Sequence, residues 1–556
     1  MSKPGKKLIA VLLAGMMTAA LAACGADKPA ASDSAASSEE GAASSEDTAA
    51  STESGGESAE AGADSGNPYA GVDISEPVTV TYMTVGDANT NGEQEKALEE
   101  INKILNEKAN ATLEVYNIGW TDYLSNYNLT LAQMDGTVDL VGTGTDWLDA
   151  WPNAQSGAFL EMSEDMIKTC APQTYAQVPA ENWEKCKYNG DIYFLPEDNY
   201  TQWTNHGFMY RGDWAREAGL ENGVHSWEDM TAYFKSVKEK HPDVIPWDSD
   251  GTHNTNLAGG YLASKTDFIS IDGICAGALY GGHKEDPYTI WSPFYEGDEL
   301  IEFAKLMKEW DTIGVWKTDV LNNAGVDNRE EMYLGQTAAD QHHTETWYGT
   351  VRPAMEDRQP GSDCGWFWFG EEAGNLVRLN ITHGAMAISA ASENPERALM
   401  VADLMRNDPE IYRLLVYGRE GVQYEIVDEE AGTWKRPEGY NDQEYAIAFN
   451  YWWGRNDDLE LVDSKRDQVS YGELCGQYDK AAIEYPYGKL VADLTNIQSQ
   501  INNINEIHNN YTKQISYGKY PGTAEEIVAE YREALKNAGF EEVLAELQAQ
   551  VDAVYK

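Results

Sequence analysis

Basic side chains are scarce in this sequence of 556 residues, which holds 40 lysines and arginines against 93 aspartates and glutamates. The formal net charge is −53 at pH 7. Proteins bind DNA, RNA and anionic lipid surfaces through clusters of lysine and arginine, and no such cluster occurs here. We therefore expect no nucleic-acid partner. The net charge does not fix the sign of a single pocket, so the charge of a small ligand stays open.

Cysteine is also rare. Beyond Cys24 the chain has an odd number of cysteines at scattered spacings, which is typical of neither a zinc site nor a small disulfide framework. Cys170 and Cys186 could close a loop in an exported protein, and two buried thiols fit the sequence equally well. The cysteines beyond Cys24 are Cys170, Cys186, Cys275, Cys364 and Cys475.

Motifs of several enzyme classes are missing. There is no nucleophile elbow, metalloprotease motif or phosphate-binding loop, and Gly142-Thr-Gly144 lacks the third glycine of a dinucleotide fingerprint. His342 and His343 are adjacent rather than four residues apart, so they do not form a helical metal-binding pair. We expect no cofactor, no metal and no enzymatic activity. A surface glycoside hydrolase is a lesser alternative, because it needs only two carboxylates about 5 to 10 Å apart.

Beyond the N-terminus, the chain has no apolar run long enough to span a membrane. The N-terminal run, Leu8 to Leu21, follows three lysines and is shorter than the roughly 20 residues of a spanning helix. This pattern is typical of a secretion signal over residues 1–23. The order Leu-Ala-Ala-Cys24 resembles the bacterial lipobox, whose cysteine is acylated. An ordinary signal peptide that happens to contain Cys24 is the alternative. The lipobox predicts an exported protein, lipid-anchored at Cys24 on the extracellular side of the cell membrane.

Large apolar side chains are absent from residues 25–66, which contain ten acidic residues and one lysine. Such a segment cannot bury enough surface to offset the entropy lost on ordering. We therefore interpret residues 24–66 as a disordered tether that follows the lipidated cysteine. Residues 67–556 remain for the folded part, which is long enough for more than one lobe.

The folded part opens with alternating strand and helix patterns. They predict a strand over Val78 to Val85, a helix over Glu93 to Glu107 and a second strand near Leu113 to Tyr116. Another helix then leads to a third strand over Val138 to Gly142. This alternation is typical of a parallel sheet with crossover helices. Ligands of such sheets bind beyond the carboxyl ends of the strands, which here means Gly86, Asp87 and residues 143–147.

Five further segments share residues and order with one protein family. They are the KYNGDIYFLP hairpin at 187–196, MYRGD to GL at 209–220, GQTAA at 335–339, ISAASENPERA at 388–398, and AGF to ELQAQ at 538–550. Together they resemble extracellular solute-binding proteins of family 1 type from carbohydrate ABC importers, in particular a large Gram-positive lipoprotein subgroup.

The resemblance implies an α/β fold of the two-lobed, periplasmic-binding-protein type II class, joined by a hinge that the chain crosses more than once. It places lobe one at about 77–196 and 370–420, and lobe two at 197–369 and 421–556. It also implies a monomer that closes over a carbohydrate, most simply an oligosaccharide, and docks on a membrane permease of an ABC importer. An oligopeptide-binding importer subunit is the alternative ligand class.

Sugars present hydroxyls around an apolar ring face, so their sites combine flat aromatic rings with carboxylates and amides. The chain has 17 tryptophans, and large aromatic residues are also ordinary core residues. Where the subgroup often has a Gly-Asn-rich segment, this chain has Phe449 to Gly454, which implies a different ligand. The ligand-binding residues we predict are Asp87, Trp120, Tyr123, Asp146, Trp147, Trp203, Asn205, Glu345, Trp347, Trp366, Trp368, Tyr451, Trp452 and Trp453.

Overall fold

The structure, a computed structural model, describes residues 67–275, 277–323 and 325–556. The predicted secretion signal, Cys24 and the tether lie outside the described residues. The strands are β1 Val78–Val85, β2 Ala111–Ile118, β3 Leu140–Thr143, β4 Lys187–Tyr188, β5 Asp191–Ile192, β6 His206–Arg211, β7 Phe268–Ser270, β8 Gly281–His283, β9 Ala339–His343, β10 Cys364–Trp368, β11 Leu376–Val377, β12 Ala385–Ile388, β13 Glu425–Asp428, β14 Thr433–Lys435, β15 Val462–Asp463 and β16 Ala482–Ile483.

Helices cover much of the remainder. They are α1 Glu93–Ala109, α2 Tyr123–Gln133, α3 Ala150–Gln155, α4 Glu164–Cys170, α5 Pro172–Gln177, α6 Ala180–Trp183, α7 Gly212–Glu217, α8 Trp227–Lys240, α9 Asn254–Lys265, α10 Glu299–Ile313, α11 Asn328–Tyr333, α12 Thr344–Thr346, α13 Arg352–Arg358, α14 Pro395–Asn407, α15 Pro409–Val416, α16 Asp442–Tyr445, α17 Gln468–Ala481, α18 Gln498–Ser516, α19 Ala524–Asn537 and α20 Phe540–Tyr555. Residues Trp347–Val351 form a π-helical turn between α12 and α13.

The first sheet has the strand order β12-β3-β1-β2. Strand β1 pairs in parallel with both β2 and β3, as the sequence predicts, whereas β12 joins the edge of β3 antiparallel. All four residues of β3 and of β12 are buried, because helices cover the sheet. The parallel strands therefore end at one common edge, where β1, β2 and β3 present their carboxyl ends.

Two large hydrophobic cores organise the chain. The first takes its buried residues from 69–195 and 385–461, and the second from 208–369 and 487–551. A smaller third core lies beside the second and includes Trp203 and Tyr478. The chain passes between the first core and the other two three times, so β12 enters the first sheet only after most of the second lobe is complete.

This division differs from the predicted lobes after residue 420. Buried residues between Tyr424 and Leu461 pack in the first core, where the sequence placed 421–556 in the second lobe. The reason is that Tyr451 lies against Tyr82 of β1, with ring centroids 6.3 Å apart. Conversely, Leu376 of β11 packs in the third core, although the sequence assigned 370–420 to the first lobe.

Local sequence signals set many of the element ends. The Asn189-Gly190 turn joins β4 to β5 with positive φ at both residues, as predicted. Helix α8 begins after Ser226, whose hydroxyl accepts the backbone N–H of Asp229 at 3.0 Å. Helix α14 begins at Pro395, which has no N–H to satisfy in a first turn.

Cys170 and Cys186 are both free and buried in the structure, so these two thiols do not form the disulfide that the sequence left open. Burial raises the pKa of the Cys170 thiol to about 11. Both thiols pack in the first core as small apolar groups. Within the described residues, no helix is both long enough and apolar enough to cross a bilayer.

Candidate functional site

The candidate site lies at the carboxyl edge of the first sheet, where the loops after β1, β2 and β3 meet. Gly86 follows β1 with φ 136°, and a side chain there would collide with Asn450. The Asp87 carboxylate bridges two of these loops, because its Oδ1 accepts the backbone N–H of Trp120 at 3.1 Å. The loop after β3 carries Asp146 and Trp147. The sheet topology thus brings Asp87 and Trp147 to one edge although they lie 60 positions apart in the sequence.

Four aromatic rings form a continuous row along this edge, which we call the aromatic row. The ring centroids of Trp120 and Tyr123 are 5.8 Å apart, and those of Tyr123 and Trp147 are 6.2 Å apart. Trp147 then stacks on Trp453 at 5.7 Å with an interplanar angle of 2°. Trp120 is 47% exposed and Trp453 is 0% exposed, so the row runs from solvent into the first core.

The block Tyr451-Trp452-Trp453 divides between core and surface. Tyr451 and Trp453 are buried, whereas Trp452 is 48% exposed. The indole N–H of Trp452 donates to the carbonyl of Val85 at 3.1 Å, which holds this ring beside the end of β1. Gly142 of β3 leaves room for Trp453, since a side chain there would meet its ring. Trp453 therefore supports Trp147 from behind and presents no surface to solvent.

Carboxylates flank the exposed rings. The Asp146 carboxylate lies 2.7 Å from Nδ1 of His383 and forms an ion pair with this ring when it is protonated. The backbone carbonyl of His383 accepts the indole N–H of Trp147 at 3.1 Å. Burial by itself would lower the pKa of His383. Asp146, and then Glu197 and Asp272, raise this pKa above its ordinary value. His383 is thus held beside Asp146, and all three carboxyl groups favour its protonated form.

A loop of the second lobe approaches the same place. Gly273, with φ 73°, passes so close to the carbonyl of Thr145 that a side chain would collide with it. The adjacent Asp272 is half-buried, and its backbone N–H donates to the Tyr485 hydroxyl at 2.8 Å. Burial and then the charge of Asp146 raise the pKa of Asp272. The second lobe therefore contributes a carboxyl group to the surroundings of Asp146.

Four tryptophans predicted for the second lobe pack in the third core. Trp203, Trp347, Trp366 and Trp368 are all buried there around Tyr478. The Trp366 indole N–H donates to the Tyr478 hydroxyl at 2.9 Å, and the ring centroid of Trp203 lies 5.0 Å from that of Tyr478. These rings hold the wall of the second lobe rather than present a free face, because Trp347 stacks on Trp366 while Trp203 and Trp368 pack against Tyr478.

Two polar predictions lie beside that core. Asn205 accepts the Thr344 hydroxyl through Oδ1 at 3.0 Å, while its buried Nδ2 has no hydrogen-bond partner. Glu345 accepts the Tyr471 hydroxyl at 2.8 Å, and its side chain is 27% exposed. Burial raises the pKa of Glu345 despite this hydrogen bond. Both residues thus keep polar capacity near a partly open surface of the second lobe.

Sequence reasoning missed several polar residues near the crossings between the cores. Glu197 accepts the backbone N–H of Arg455 at 3.0 Å, and burial raises its pKa to about 8. The Arg455 guanidinium lies 5.0 Å from the Tyr200 ring centroid. Glu197 directly follows Pro196, the last residue of the hairpin at 187–196, and this position could have indicated Glu197 as a site residue. Tyr200, His383 and Arg455 lie in irregular segments that carry no pattern.

Comparison with known proteins gives a family. The family described as "Bacterial extracellular solute-binding protein" matches residues 87–410, which is more than half of the chain. A family described as a domain of unknown function matches residues 486–556. A carbohydrate ABC transporter substrate-binding protein of Streptococcus pneumoniae serotype 4 is 24% identical over 507 residues, which is 88% of this chain and 94% of that protein.

Solved structures share the two-lobed fold. The N-glycan transport solute-binding protein NgtS of Streptococcus pneumoniae has a TM-score of 0.68 and 22% identity, over 86% of this chain and 98% of NgtS. Its complex with Man1GlcNAc has a TM-score of 0.66 and 20% identity, over 86% and 99% of the two chains. FusA of Streptococcus pneumoniae, in complex with kestose, has a TM-score of 0.59 and 16% identity, over 86% and 99%. The chain belongs to the bacterial extracellular solute-binding proteins.

Proposed function

We propose that this protein is the carbohydrate-binding component of an ABC importer, and that it holds an oligosaccharide between its two lobes. The observation that carries the proposal is the aromatic row, which ends in exposed rings flanked by Asp87 and Asp146. Flat apolar rings beside carboxylate acceptors complement the ring faces and hydroxyls of a sugar. The names of the similar proteins, which include a carbohydrate transporter subunit and two glycan-bound structures, support the same ligand class.

Within this proposal the predicted residues divide into two groups. Ligand contacts come from residues with free surface, while the buried tryptophans and Tyr451 hold the walls of the site. The second lobe contributes through Asn205 and Glu345. The proposed contact residues are Asp87, Trp120, Tyr123, Asp146, Trp147, Trp452, Asn205 and Glu345.

The same proposal covers the cellular setting. Acylation of Cys24 anchors the protein to the outer face of the cell membrane, and residues 25–66 give it reach toward the permease. The protein acts as a monomer and binds its ligand without catalysis. Closure of the lobes buries the glycan, and the closed form is the one that docks on the permease subunits.

Ligand screening of the full-length chain tests the function. Calorimetry and thermal-shift measurements would compare neutral oligosaccharides, acidic oligosaccharides and peptides of similar length. We expect saturable binding of at least one oligosaccharide, without the appearance of shorter products during incubation. Binding of peptides in place of glycans, or cleavage of a bound glycan, would contradict the proposal.

A further inference from the structure

The charged groups around the aromatic row are strongly one-sided. Asp87 and Asp149 take part in no ion pair within the described part of the chain, and Asp146 pairs only with His383. Asp149 accepts the Asn128 amide at 2.8 Å, which leaves its charge uncompensated. The field of these carboxylates reaches the row, since burial and then Asp149 and Asp146 raise the pKa of Tyr123. The rings on which a glycan would lie are thus set among anions.

Lysine and arginine side chains do not balance these carboxylates in the described part of the chain. In the described residues, no lysine or arginine lies over the rings of Trp120, Tyr123, Trp147 or Trp452, although arginines stack on several other aromatic rings. The arginines near the crossings between the cores already have anionic partners. Arg455 pairs with Glu460 at 2.6 Å, Arg378 with Asp479 at 2.8 Å, and Arg466 lies 4.0 Å from Glu345.

Such a lining treats neutral and acidic glycans differently. A carboxylate side chain accepts hydrogen bonds, so a sugar hydroxyl satisfies it by donating. A sugar carboxylate or sulfate offers no such donor, and placing it beside Asp87 and Asp146 adds like-charge repulsion. His383 already pairs with Asp146 through Nδ1, so its charge is set against that of Asp146, and within the described residues Asp87 and Asp149 keep no cationic partner.

We propose that this site takes uncharged oligosaccharides and discriminates against glycans that carry carboxylate or sulfate groups. The inference rests on the proposed function, and it follows from the local arrangement of charges around the aromatic row rather than from the net charge of the chain. The acidic residues at the row act as specificity determinants: they bind hydroxyls and repel anions.

A matched pair of glycans tests the discrimination. The probes are Man5GlcNAc, other neutral oligosaccharides of similar length, and the same glycans with their primary alcohols oxidised to carboxylates. Each opposing charge near the ligand should weaken binding about three- to tenfold. We therefore expect the full-length protein to bind its best neutral probe at least tenfold more tightly than the oxidised form of that probe. Raising the salt concentration should narrow this ratio, because screening weakens repulsion between partly exposed charges.

Charge-removing variants locate the effect. The changes Asp87→Asn and Asp146→Asn keep the side-chain size and an acceptor oxygen. In the double variant, the ratio of the affinities for the neutral and oxidised glycans should fall by about tenfold or more. The control is Asp135→Asn, which removes the same charge from a loop at the opposite edge of the sheet. Asp135 accepts the Thr137 N–H in the same way that Asp87 accepts that of Trp120. The control should leave the ratio unchanged.

The outcomes separate this inference from the proposed function. Equal or tighter binding of the oxidised probes by the unaltered protein would overturn the inference alone, and so would a ratio that neither salt nor the double variant changes. The salt series uses the unaltered protein, so it decides the matter even if the double variant does not fold. Binding of no glycan at all would overturn the proposed function and, with it, this inference.

Discussion

Trp120 and Trp453 are at opposite ends of the aromatic row, and burial gives them opposite roles. Trp120 is 47% exposed and contacts the row through the edge of Tyr123. Trp453 is 0% exposed and stacks flat on Trp147. Residue type and loop position were the same for both in the sequence, so only the structure distinguishes a ligand platform from its support.

The change Trp120→Ala should weaken glycan binding without destabilising the fold. Stacking of one exposed ring contributes about 1 kcal/mol or somewhat more, so we expect roughly tenfold lower affinity by calorimetry. The free energy of unfolding in urea should change by about 0.5 kcal/mol or less, because little packed surface is lost. Leu129→Ala, an equally apolar truncation at an exposed site on α2, is the control and should leave affinity unchanged. Unaltered affinity in Trp120→Ala would remove this ring from the site.

The change Trp453→Ala should act mainly on stability. A fully buried ring lies against Gly142 and Trp147, and its removal leaves a cavity in the first core. Large-to-small substitutions of this kind cost about 3 to 5 kcal/mol. Urea unfolding followed by circular dichroism would measure the loss. A loss below about 1 kcal/mol would mean that Trp453 does not hold the row in place.

Helix α18 carries a histidine whose ionisation opposes folding. His508 is fully buried, its Nδ1 lies 2.7 Å from the Tyr531 hydroxyl of α19, and burial lowers its pKa to about 3. The unfolded chain binds a proton at this histidine below about pH 6.5, whereas the folded chain does not until about pH 3. Because the unfolded state then binds more protons, this contribution to stability is lost as the pH falls from about 6.5 to 3.

The variant His508→Gln should therefore reduce the pH dependence of folding. Between pH 7 and pH 5 the histidine accounts for a loss of about 2 kcal/mol in the free energy of unfolding, and the variant should lack that share. Urea unfolding at both pH values measures it. His283→Gln, at a surface histidine paired with Asp267, is the control. An identical pH response in the His508 variant and the unaltered protein would contradict the assignment.

Helices and strands with a regular spacing of apolar residues were predictable from the sequence, whereas irregular segments were not. The pattern predicted β1 over Val78 to Val85, and this strand is confirmed with those bounds. Residues 421–461 were assigned to the wrong core, because this segment has only short strands and little periodicity to show what it packs against. Of the three rings at 451–453 only Trp452 is exposed, and tertiary packing alone identifies which ring that is.

At the scale of the whole molecule, the site depends on how the chain is threaded between its cores. The β12 strand completes the first sheet after the chain has built most of the second lobe. His383, two residues before the start of β12, thereby lies beside Asp146 although the two are separated by 237 positions. Residues of the site thus lie on segments where the chain passes from one lobe to the other. A ligand bound there should therefore affect how the two lobes are oriented.

Hydrogen exchange with a bound glycan should reveal this coupling. The loop 143–147 belongs to the first lobe and the loop 271–274 to the second, and Gly273 already approaches the Thr145 carbonyl. A ligand held between the lobes should slow amide exchange in both loops and, at about 100 times its Kd, stabilise the folded chain by about 2.7 kcal/mol. The Trp120→Ala variant at the same glycan concentration is the control and should show weaker protection in both loops together. Protection confined to 143–147 would mean that the glycan binds one lobe alone, so that closure would not be part of recognition.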